Sequence, residues 1–304
     1  MAFNQLERLH LLNYRWFYDR FLQLIIYPSV WVAAAIASLG MYTQEILEYE
    51  HNLLPIALIF VTALIPYNLD RIFDSYVQKI PDDKAQLFFR QPYIWLLLLG
   101  AIVTTIVLII IAPVRVRYAT IAGIVPLLYG TPIFPWRHNS SSQVRWRWYR
   151  LKDIPGSKAW IVGSILTYAA IALPMAYEAA SFGLIDSWLT LFMFVFIVTN
   201  SHIFDIRDIE SDRDKGVVTL PTIAGVKGTK VILTVMNVSV MLIAIGLWTN
   251  SVVSYHPEMI LALVANLIYI WRVNTNTPRW IYNILIEACL FIPLLGNWTL
   301  NIFT

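Results

Sequence analysis

The stretch DIRDIESDRDKGVVTLP, residues 205–221, follows a long apolar segment of the chain. Asp205, Asp208 and Asp212 are spaced i, i+3 and i+7, which predicts that the three carboxylates share one face of a helix. Carboxylates crowded on one face repel each other unless a cation lies between them. Gly216 is predicted to end this helix. The stretch is therefore a candidate cation site at the end of an apolar helix.

A second acidic cluster lies far upstream, in the stretch DRIFD at residues 70–74. Asp70 and Asp74 are spaced i, i+4, and they too come at the end of an apolar segment. Carboxylate oxygens suit Mg²⁺ much better than a soft metal. The alternative is that the aspartates of both clusters cap helices and pair with the arginines beside them. The presence of two clusters favours a metal site.

The composition indicates the class of protein. The chain of 304 residues is 58% hydrophobic and 13% charged, with a mean hydropathy of +0.62. A water-soluble domain of this length cannot bury so much apolar surface. Backbone groups in lipid must be hydrogen-bonded internally, so apolar spans of this kind are helices. We therefore predict an all-α integral membrane protein with nine transmembrane helices, at about residues 20–43, 53–72, 92–112, 116–134, 156–178, 183–204, 230–249, 254–271 and 280–299.

The basic residues predict the orientation in the membrane. Of the 22 Lys and Arg residues, all but Arg115 and Arg117 fall in the N-terminal tail or in the connections after the second, fourth, sixth and eighth segments. By the positive-inside rule, the N-terminus is cytoplasmic, the C-terminus is outside, and both acidic clusters face the cytoplasm. Residues 1–19 are predicted to form an amphipathic segment on the membrane surface, within a single domain of residues 1–304.

Several charged residues outside the clusters are further candidates. Lys79 follows the first cluster, and Arg150 and Lys152 lie in a basic, Trp-rich connection after the fourth segment. This connection is either a set of positive-inside residues with an aromatic belt or a loop that binds an anionic ligand. Glu287 lies inside the last apolar segment, where a carboxylate is costly. It is either a functional residue or a protonated acid bonded to a neighbouring helix.

Both acidic stretches resemble the two aspartate-rich motifs of the UbiA-type intramembrane prenyltransferases. The second match extends from Asp205 through Gly216 and the Thr-Leu-Pro of 219–221 to Gly225, and the resemblance covers nearly the whole chain. It implies a helical barrel that opens laterally to lipid, in which two Mg²⁺ ions hold the diphosphate of a prenyl donor. The diphosphate leaves, and the allylic cation alkylates an acceptor.

The resemblance also implies roles for the charged residues. The aspartates of the two clusters would be catalytic and would hold the ions: Asp70 and Asp74 one ion, and Asp205, Asp208 and Asp212 the other. Basic residues would neutralise the leaving diphosphate, where negative charge develops. The candidates for this role are Lys79, Arg150 and Lys152.

The sequence departs from the family pattern at two places. The Asn-Asp pair that usually opens the first motif is replaced by Pro66 and Tyr67, and the Asn expected just before the second motif is Phe204. One polar group is therefore missing from each cluster. We predict that Asn200, one turn behind Phe204, supplies the missing oxygen better than Asn68 does.

These observations predict a Mg²⁺-dependent enzyme that transfers a prenyl group from a polyprenyl diphosphate to a lipophilic acceptor, aromatic or of the isoprenoid pathway. Its partners would be the donor, the acceptor and the lipid bilayer. Nucleic acid is not expected, because membrane topology explains the basic residues. The alternative from another class is a non-catalytic membrane carrier or assembly factor that retains the prenyltransferase fold. Binding of a divalent ion and a prenyl diphosphate distinguishes the two.

Overall fold

The computed structural model describes residues 18–77, 83–127, 134–140, 143–149, 154–214 and 216–303. Within these ranges, the backbone alone is described at 73–74, 76–77, 124–127, 134–140, 143–149 and 303. The predicted amphipathic segment 1–19 lies outside the described residues except for its last two positions.

The described chain is helical apart from one β-hairpin. The helices are, in order, α1 (Tyr18–Ile26), α2 (Val30–Ile46), α3 (Leu53–Val77), α4 (Asp83–Phe89), α5 (Tyr93–Ile111), α6 (Val114–Leu127), α7 (Lys158–Glu178), α8 (Leu184–Arg207), α9 (Ile209–Asp214), α10 (Leu220–Thr249) and α11 (Pro257–Arg272). The last helix, α12, consists of a π-helical segment (Ile281–Ile286), a 3₁₀ turn (Cys289–Phe291) and an α-helical segment (Ile292–Phe303). Strands β1 (Phe134–Ser140) and β2 (Gln143–Tyr149) form the hairpin.

The long apolar helices are those of an integral, multi-pass membrane protein. Six of them, α3, α5, α7, α8, α10 and α12, are long and apolar enough to cross a membrane, and the bent pair α1–α2 makes a seventh if it is counted as one span. The other two predicted segments correspond to α6 and α11, which are described over 14 and 16 residues. Length and composition of the described helices thus support six or seven of the nine predicted spans.

The bend between α1 and α2 is built around Pro28 and Ser29. The two helices meet at 58°, and Ser29 has a left-handed backbone with φ 60°. Because a proline lacks the N–H that a helix needs, carbonyls around it require other partners. Side chains of α3 provide them: Asn68 Nδ2 donates to the carbonyl of Pro28 (2.9 Å), and Arg71 Nη1 donates to that of Ile26 (2.9 Å). Residues around the first acidic cluster therefore stabilise the bend.

Helix α8, which leads into the second cluster, is the most enclosed of the spanning helices. Its apolar span is 72% buried, compared with 44% or less in the others, and it packs against α7, α10 and α11. Helix α7 approaches it closely at Gly163, where an added Cβ would lie 2.2 Å from Cγ2 of Val198. A small residue allows this approach between membrane helices. The close packing brings the first residue of α7 beside the end of α8.

Buried polar side chains join α8 to α10 and α11 inside the bundle. Asn237 Nδ2 donates to the hydroxyl of Thr199 (2.8 Å), and Asn266 Nδ2 donates to Oδ1 of Asn237 (3.0 Å). The hydroxyl of Tyr269 donates to Oδ1 of Asn266 (2.6 Å). All four side chains are buried. Because polar groups in an apolar surrounding need partners, this chain of bonds fixes the position of α8.

The β-hairpin is the feature that the all-α prediction lacks. It lies between α6 and α7 in the chain, with antiparallel strands that pair Phe134 with Tyr149 and Ser140 with Gln143. The sequence RWRWY at 145–149 alternates with a period of two, which is typical of a strand. Neither of the two interpretations of this connection, positive-inside residues with an aromatic belt or an anion-binding loop, includes a strand. The fold class is therefore helical with one added hairpin.

Candidate metal and diphosphate site

The second acidic cluster lies on α8 and α9, and the helix is interrupted between them at Asp208. Asp208 ends α8 with φ −96° and ψ 8°, and α9 begins at Ile209. Asp205 and Asp212 approach the same cation, as the predicted common face requires. Asp208 is paired with Arg207 instead. The sharing of one helix face by all three carboxylates stays a prediction.

A lysine joins the two remaining carboxylates. The ammonium nitrogen of Lys158 lies 3.2 Å from Oδ1 of Asp205 and 3.6 Å from Oδ1 of Asp212. Both carboxylates are buried, with 4% and 7% of their side chains exposed, whereas Lys158 is half-buried at the start of α7. Burial raises the pKa of Asp212; Lys158 opposes this change, and the negative charges of Asp205 and Asp208 add to it. The cation expected between the carboxylates is therefore, in this structure, a lysine.

Asp208 is engaged by the residue before it. Arg207 donates to both of its oxygens, at 2.8 Å and 2.6 Å, and to Oδ1 of Asn283 at 3.2 Å. The guanidinium carbon also lies 4.9 Å and 5.6 Å from the ring centroids of Phe204 and Tyr282. Burial would raise the pKa of Asp208, but the hydrogen bonds and charge of Arg207 outweigh it and lower that pKa. At this position the structure shows the aspartate paired with its neighbouring arginine, and the role of Asp208 as a metal ligand stays a prediction.

The pocket around Asp205 and Asp212 contains polar atoms without partners. Oδ2 of each carboxylate is buried and has no hydrogen-bond partner among the described residues, and the same holds for both ring nitrogens of His202. Nδ1 of His202 lies 3.6 Å from Oδ2 of Asp205, which is too long for a normal hydrogen bond. Buried polar atoms almost always have partners in native proteins. The two unpartnered carboxylate oxygens therefore mark a place where a further ligand can bind.

Gly216 ends α9, as predicted. Its φ is +67°, and the N–H of Val217 donates to the carbonyl of Asp212 at 2.8 Å. This bond across a left-handed glycine is the Schellman geometry, in which glycine avoids the penalty that a Cβ would bring. One residue further, the carbonyl of Val218 accepts from the N–H of Gly156 at 2.7 Å. The loop before α7 is thereby attached to the second cluster.

The first cluster lies near the end of α3. Asp70 is exposed, and the backbone of Asp74 is one turn further along the same helix. The side chain of Asp74 is not among those described, and Lys79, Arg150 and Lys152 lie outside the described residues. The roles given to these four residues therefore stay predictions.

A buried acid on α12 connects the surroundings of the two clusters. Glu287 is 5% exposed and interacts electrostatically with the guanidinium groups of Arg71 and Arg207. Arg71 follows Asp70, and Arg207 precedes Asp208. Arginines of both clusters thus face one carboxylate. The two interpretations of Glu287, a functional residue or a protonated acid bonded to a neighbouring helix, both stay predictions.

The two asparagines proposed as replacements for the missing motif residues use their amide nitrogens in bonds to carbonyl groups. Asn200 Nδ2 donates to the carbonyl of Ile286 (3.1 Å), in the π-helical segment of α12. Asn68 donates to the carbonyls of Pro28 (2.9 Å) and Leu64 (2.8 Å). Both side chains are buried. Their amide nitrogens hold helices together, and the role predicted for the side-chain oxygen of Asn200 stays a prediction.

The carboxylates of the second cluster meet part of the requirements of Mg²⁺. Among the described residues, no group of three or more His, Cys, Asp or Glu side chains could hold a metal ion by itself. However, Mg²⁺ commonly binds one or two carboxylates and completes its shell with water and substrate phosphate oxygens. Asp205 and Asp212 form such a pair, each with one unpartnered oxygen. The described part of the second cluster therefore fits the ion when a phosphorylated substrate is also present.

No family profile and no curated protein matches this sequence. Solved structures, in contrast, are similar over most of its length. A UbiA homologue from Aeropyrum pernix K1, in apo form, has a TM-score of 0.60 at 11% identity, over 89% of this chain and 98% of that one. A digeranylgeranylglyceryl phosphate synthase has a TM-score of 0.54 at 14% identity, over 91% and 96%. A UbiA homologue from Archaeoglobus fulgidus, bound to DMAPP and Mg²⁺, has a TM-score of 0.54 at 13% identity, over 91% and 98%.

The chain therefore has the fold of the UbiA-type membrane prenyltransferases, as the aspartate-rich stretches indicated.

The sequence places Lys158 in the basic stretch considered for anion binding but does not predict its contact with Asp205 and Asp212. A signal was present. Lys158 is the first residue of α7, and a positive charge at a helix N-terminus is opposed by the helix dipole. Such a lysine needs an anionic partner from elsewhere, and the second acidic cluster is the nearest candidate on the same side of the membrane.

Proposed function

We propose that this protein transfers a prenyl group from a prenyl diphosphate to a lipophilic acceptor within the membrane, in a reaction that depends on Mg²⁺. The observation that carries the proposal is the buried pair Asp205 and Asp212, bound to Lys158 and left with one unpartnered oxygen each. A site of this kind suits a ligand that brings both a divalent cation and anionic oxygens. Two solved structures of the same fold are bound to DMAPP or GPP together with Mg²⁺.

The acidic clusters are proposed to hold the metal. Asp205 and Asp212 would bind through their unpartnered oxygens, and Asp70 and Asp74 are proposed for a second ion. Asp208 could join only after release from the adjacent arginine. Mg²⁺, when bound, supplies positive charge to the diphosphate oxygens as negative charge develops on them.

Basic residues are proposed to receive the leaving diphosphate. Lys158 is beside the acidic pair, and Lys79, Arg150 and Lys152 are the further candidates from the sequence. The bond between the prenyl carbon and the diphosphate oxygen breaks, and its electron pair leaves with the diphosphate. The acceptor then forms a bond to the allylic carbon and gives up a proton to the diphosphate or to solvent.

Both reactants are lipophilic, so we propose that they enter from the bilayer. The spanning helices expose apolar side chains, and α5 and α10 are the least enclosed, with 28% and 22% of their apolar spans buried. A lateral opening between helices would admit prenyl chains and exclude water, which would otherwise capture the allylic cation.

We also propose that the acidic clusters face the cytoplasm, with the N-terminus inside and the C-terminus outside. The support is the distribution of Lys and Arg, of which two, Arg115 and Arg117, fall on the opposite side. Reporter fusions after residues 90, 150 and 215 should all report a cytoplasmic location. An external signal at any of the three positions would contradict this topology.

A non-catalytic carrier or assembly factor with the same fold is the second candidate. It is favoured by the substitution of motif positions with Tyr67 and Phe204 and by the engagement of both Asp208 oxygens. Such a protein could bind a prenyl lipid without releasing its diphosphate.

The test is turnover with labelled donors. Purified protein would be incubated with radiolabelled prenyl diphosphates of several chain lengths, Mg²⁺ and a lipid extract, and the labelled product would be identified by mass spectrometry. We expect a prenylated lipid that is not formed without Mg²⁺. Binding of donor without product from any donor or extract would favour the carrier.

A further inference from the structure

The second acidic cluster already contains a cation. Lys158 reaches Asp205 at 3.2 Å and Asp212 at 3.6 Å, and both contacts use the Oδ1 atoms of the carboxylates. These carboxylates belong to different helices, α8 and α9, on either side of the interruption at Asp208. The lysine comes from a third helix, α7, which is fixed against α8 by the close approach at Gly163. The ammonium group therefore holds together the two carboxylates on which the metal proposal rests.

We propose that Lys158 is an internal counter-ion that competes with the metal: it neutralises Asp205 and Asp212 before metal binds, leaves them when a divalent cation arrives, and then contacts the substrate diphosphate. This inference rests on the proposed function of the site. It gives Lys158 a positioning role before substrate binds and a binding role afterwards.

The charges of the cluster support the exchange. Asp208 is neutralised by Arg207, so two carboxylates and one ammonium leave the site with one net negative charge. A divalent cation balances the two carboxylates without help from the lysine. Lys158 would then be a surplus positive charge beside the place where a diphosphate binds, and ammonium groups bind phosphate oxygens strongly.

The burial of the pair explains why an internal cation is required. Two ionised carboxylates enclosed by protein, with 4% and 7% exposure, would repel each other and lack water. Lys158 is half-buried, so its side chain can move outward without crossing the packed core. The exchange therefore needs rotation of a flexible side chain and leaves the helices in place.

The first experiment measures metal affinity directly. Full-length protein in detergent would be titrated with Mn²⁺ in place of Mg²⁺ and followed by electron paramagnetic resonance, for wild type and Lys158→Gln. Removal of the competitor should tighten Mn²⁺ binding by roughly 10-fold or more in the absence of diphosphate, as expected for a lost bond to a charged group. Inorganic pyrophosphate should then strengthen Mn²⁺ binding less in Lys158→Gln than in wild type. Lys227→Gln, which changes an exposed lysine of α10, is the matched control and should behave as wild type.

The second experiment needs no variant, in case Lys158→Gln fails to fold. Wild-type protein would be treated with an amine-acylating reagent, and labelling of Lys158 would be quantified by mass spectrometry, with Lys227 as the internal control. Mg²⁺ should increase labelling of Lys158, because the amine is released, and added pyrophosphate should decrease it again.

The outcomes separate this inference from the proposed function. One outcome contradicts only the proposed competition between Lys158 and the metal. In it, wild type binds Mn²⁺, Lys158→Gln binds it equally or more weakly, and Mg²⁺ does not increase the labelling of Lys158. If wild type binds no Mn²⁺ with or without pyrophosphate, the proposed function itself is contradicted.

Discussion

The two acidic clusters occupy equivalent places in the sequence, each at the end of a spanning helix, yet they are built differently. The first lies on an uninterrupted helix, where Asp70 is exposed and the neighbouring Asn68 and Arg71 bind carbonyls of the α1–α2 bend. The second lies on a helix interrupted at Asp208, and the carboxylates of Asp205 and Asp212 are buried. Its counter-charges come from within the protein. Lys158 forms ion pairs with Asp205 and Asp212, and Arg207 forms one with Asp208.

This difference separates two ways of preparing a metal site. An exposed carboxylate is solvated by water, so it needs no counter-ion from the protein before its ligand binds. Buried carboxylates need a counter-ion before the metal binds. When the metal binds, it must either displace that counter-ion or bind beside it. The second cluster therefore determines the resting state of the site, and substitutions there should have the larger effects.

The largest expected effect is on turnover. Asp205→Asn removes a charge at the centre of the buried pair and should lower the rate of diphosphate release by roughly 100- to 1,000-fold. Release of diphosphate from a prenyl diphosphate would be measured with purified protein. Glu210→Gln, an exposed acid in the same segment, is the control and should retain the wild-type rate. A wild-type rate in Asp205→Asn would exclude the second cluster from the chemistry.

Asp208→Ala should act on stability more than on turnover. It leaves the half-buried Arg207 guanidinium without the carboxylate that it binds at 2.8 Å and 2.6 Å, which should cost roughly 1.5–3 kcal/mol in the free energy of unfolding. Unfolding of metal-free protein in detergent would be compared with that of Glu210→Gln. Turnover lost as completely as in Asp205→Asn, with unchanged stability, would instead identify Asp208 as a ligand in the working state.

The same ion pair predicts a dependence on pH. The folded state lowers the pKa of Asp208 below its ordinary value of 3.8, because Arg207 outweighs the effect of burial. For an acid with a depressed pKa, the stabilisation is complete above the unfolded pKa and is lost as the pH falls through the folded one. Below about pH 4, the free energy of unfolding of wild type should therefore decrease as Asp208 is protonated. The Asp208→Asn variant has no carboxyl group at this position, so it should lack this part of the decrease. An equal loss in both proteins would contradict this assignment.

The spacing of residues in the sequence predicted the helix ends of the two acidic clusters well and the contacts within the second cluster poorly. The end of α9 at Gly216 and the two acidic helix ends depend on local chemistry, which the sequence shows directly. The engagement of Asp208 and the position of Lys158 depend on tertiary contacts. Asn283 of α12 helps to orient Arg207, and the Gly163 contact brings α7 to α8. Residues far apart in sequence meet at these points, so periodicity alone does not reveal them.

A smaller effect is expected for the two asparagines, one beside each cluster. Asn68→Leu leaves the carbonyl of Pro28 without its donor, and Asn200→Leu does the same to Ile286. Each change should destabilise the protein by about 1–2 kcal/mol, the cost of an unsatisfied buried acceptor. Unfolding would be measured together with the Mg²⁺ concentration at half-maximal turnover, which should rise more for Asn200→Leu than for Asn68→Leu, as the predicted role of the Asn200 oxygen requires. An unchanged concentration in both variants would show that neither asparagine replaces the missing motif residues.

The smallest effect is expected at the end of the second cluster. Gly216→Ala places a Cβ on a left-handed backbone, where nothing lies within 4 Å of it, so the cost is conformational alone and should be about 1 kcal/mol. Gly246→Ala is the matched control, because its Cβ also meets nothing and its φ is not in the left-handed region. Equal unfolding free energies for the two variants would show that the turn after α9 does not need glycine.

The most direct measurement is equilibrium binding of a non-reactive prenyl thiodiphosphate to wild type and to the double variant Asp205→Asn, Asp212→Asn, with and without Mg²⁺. Wild type should bind the analogue far more tightly with Mg²⁺ than without it, and the double variant should lose this difference while it remains folded. Tight binding that is independent of Mg²⁺, or a Mg²⁺ effect that survives in the double variant, would contradict the assignment of the buried acidic pair as the metal and diphosphate site.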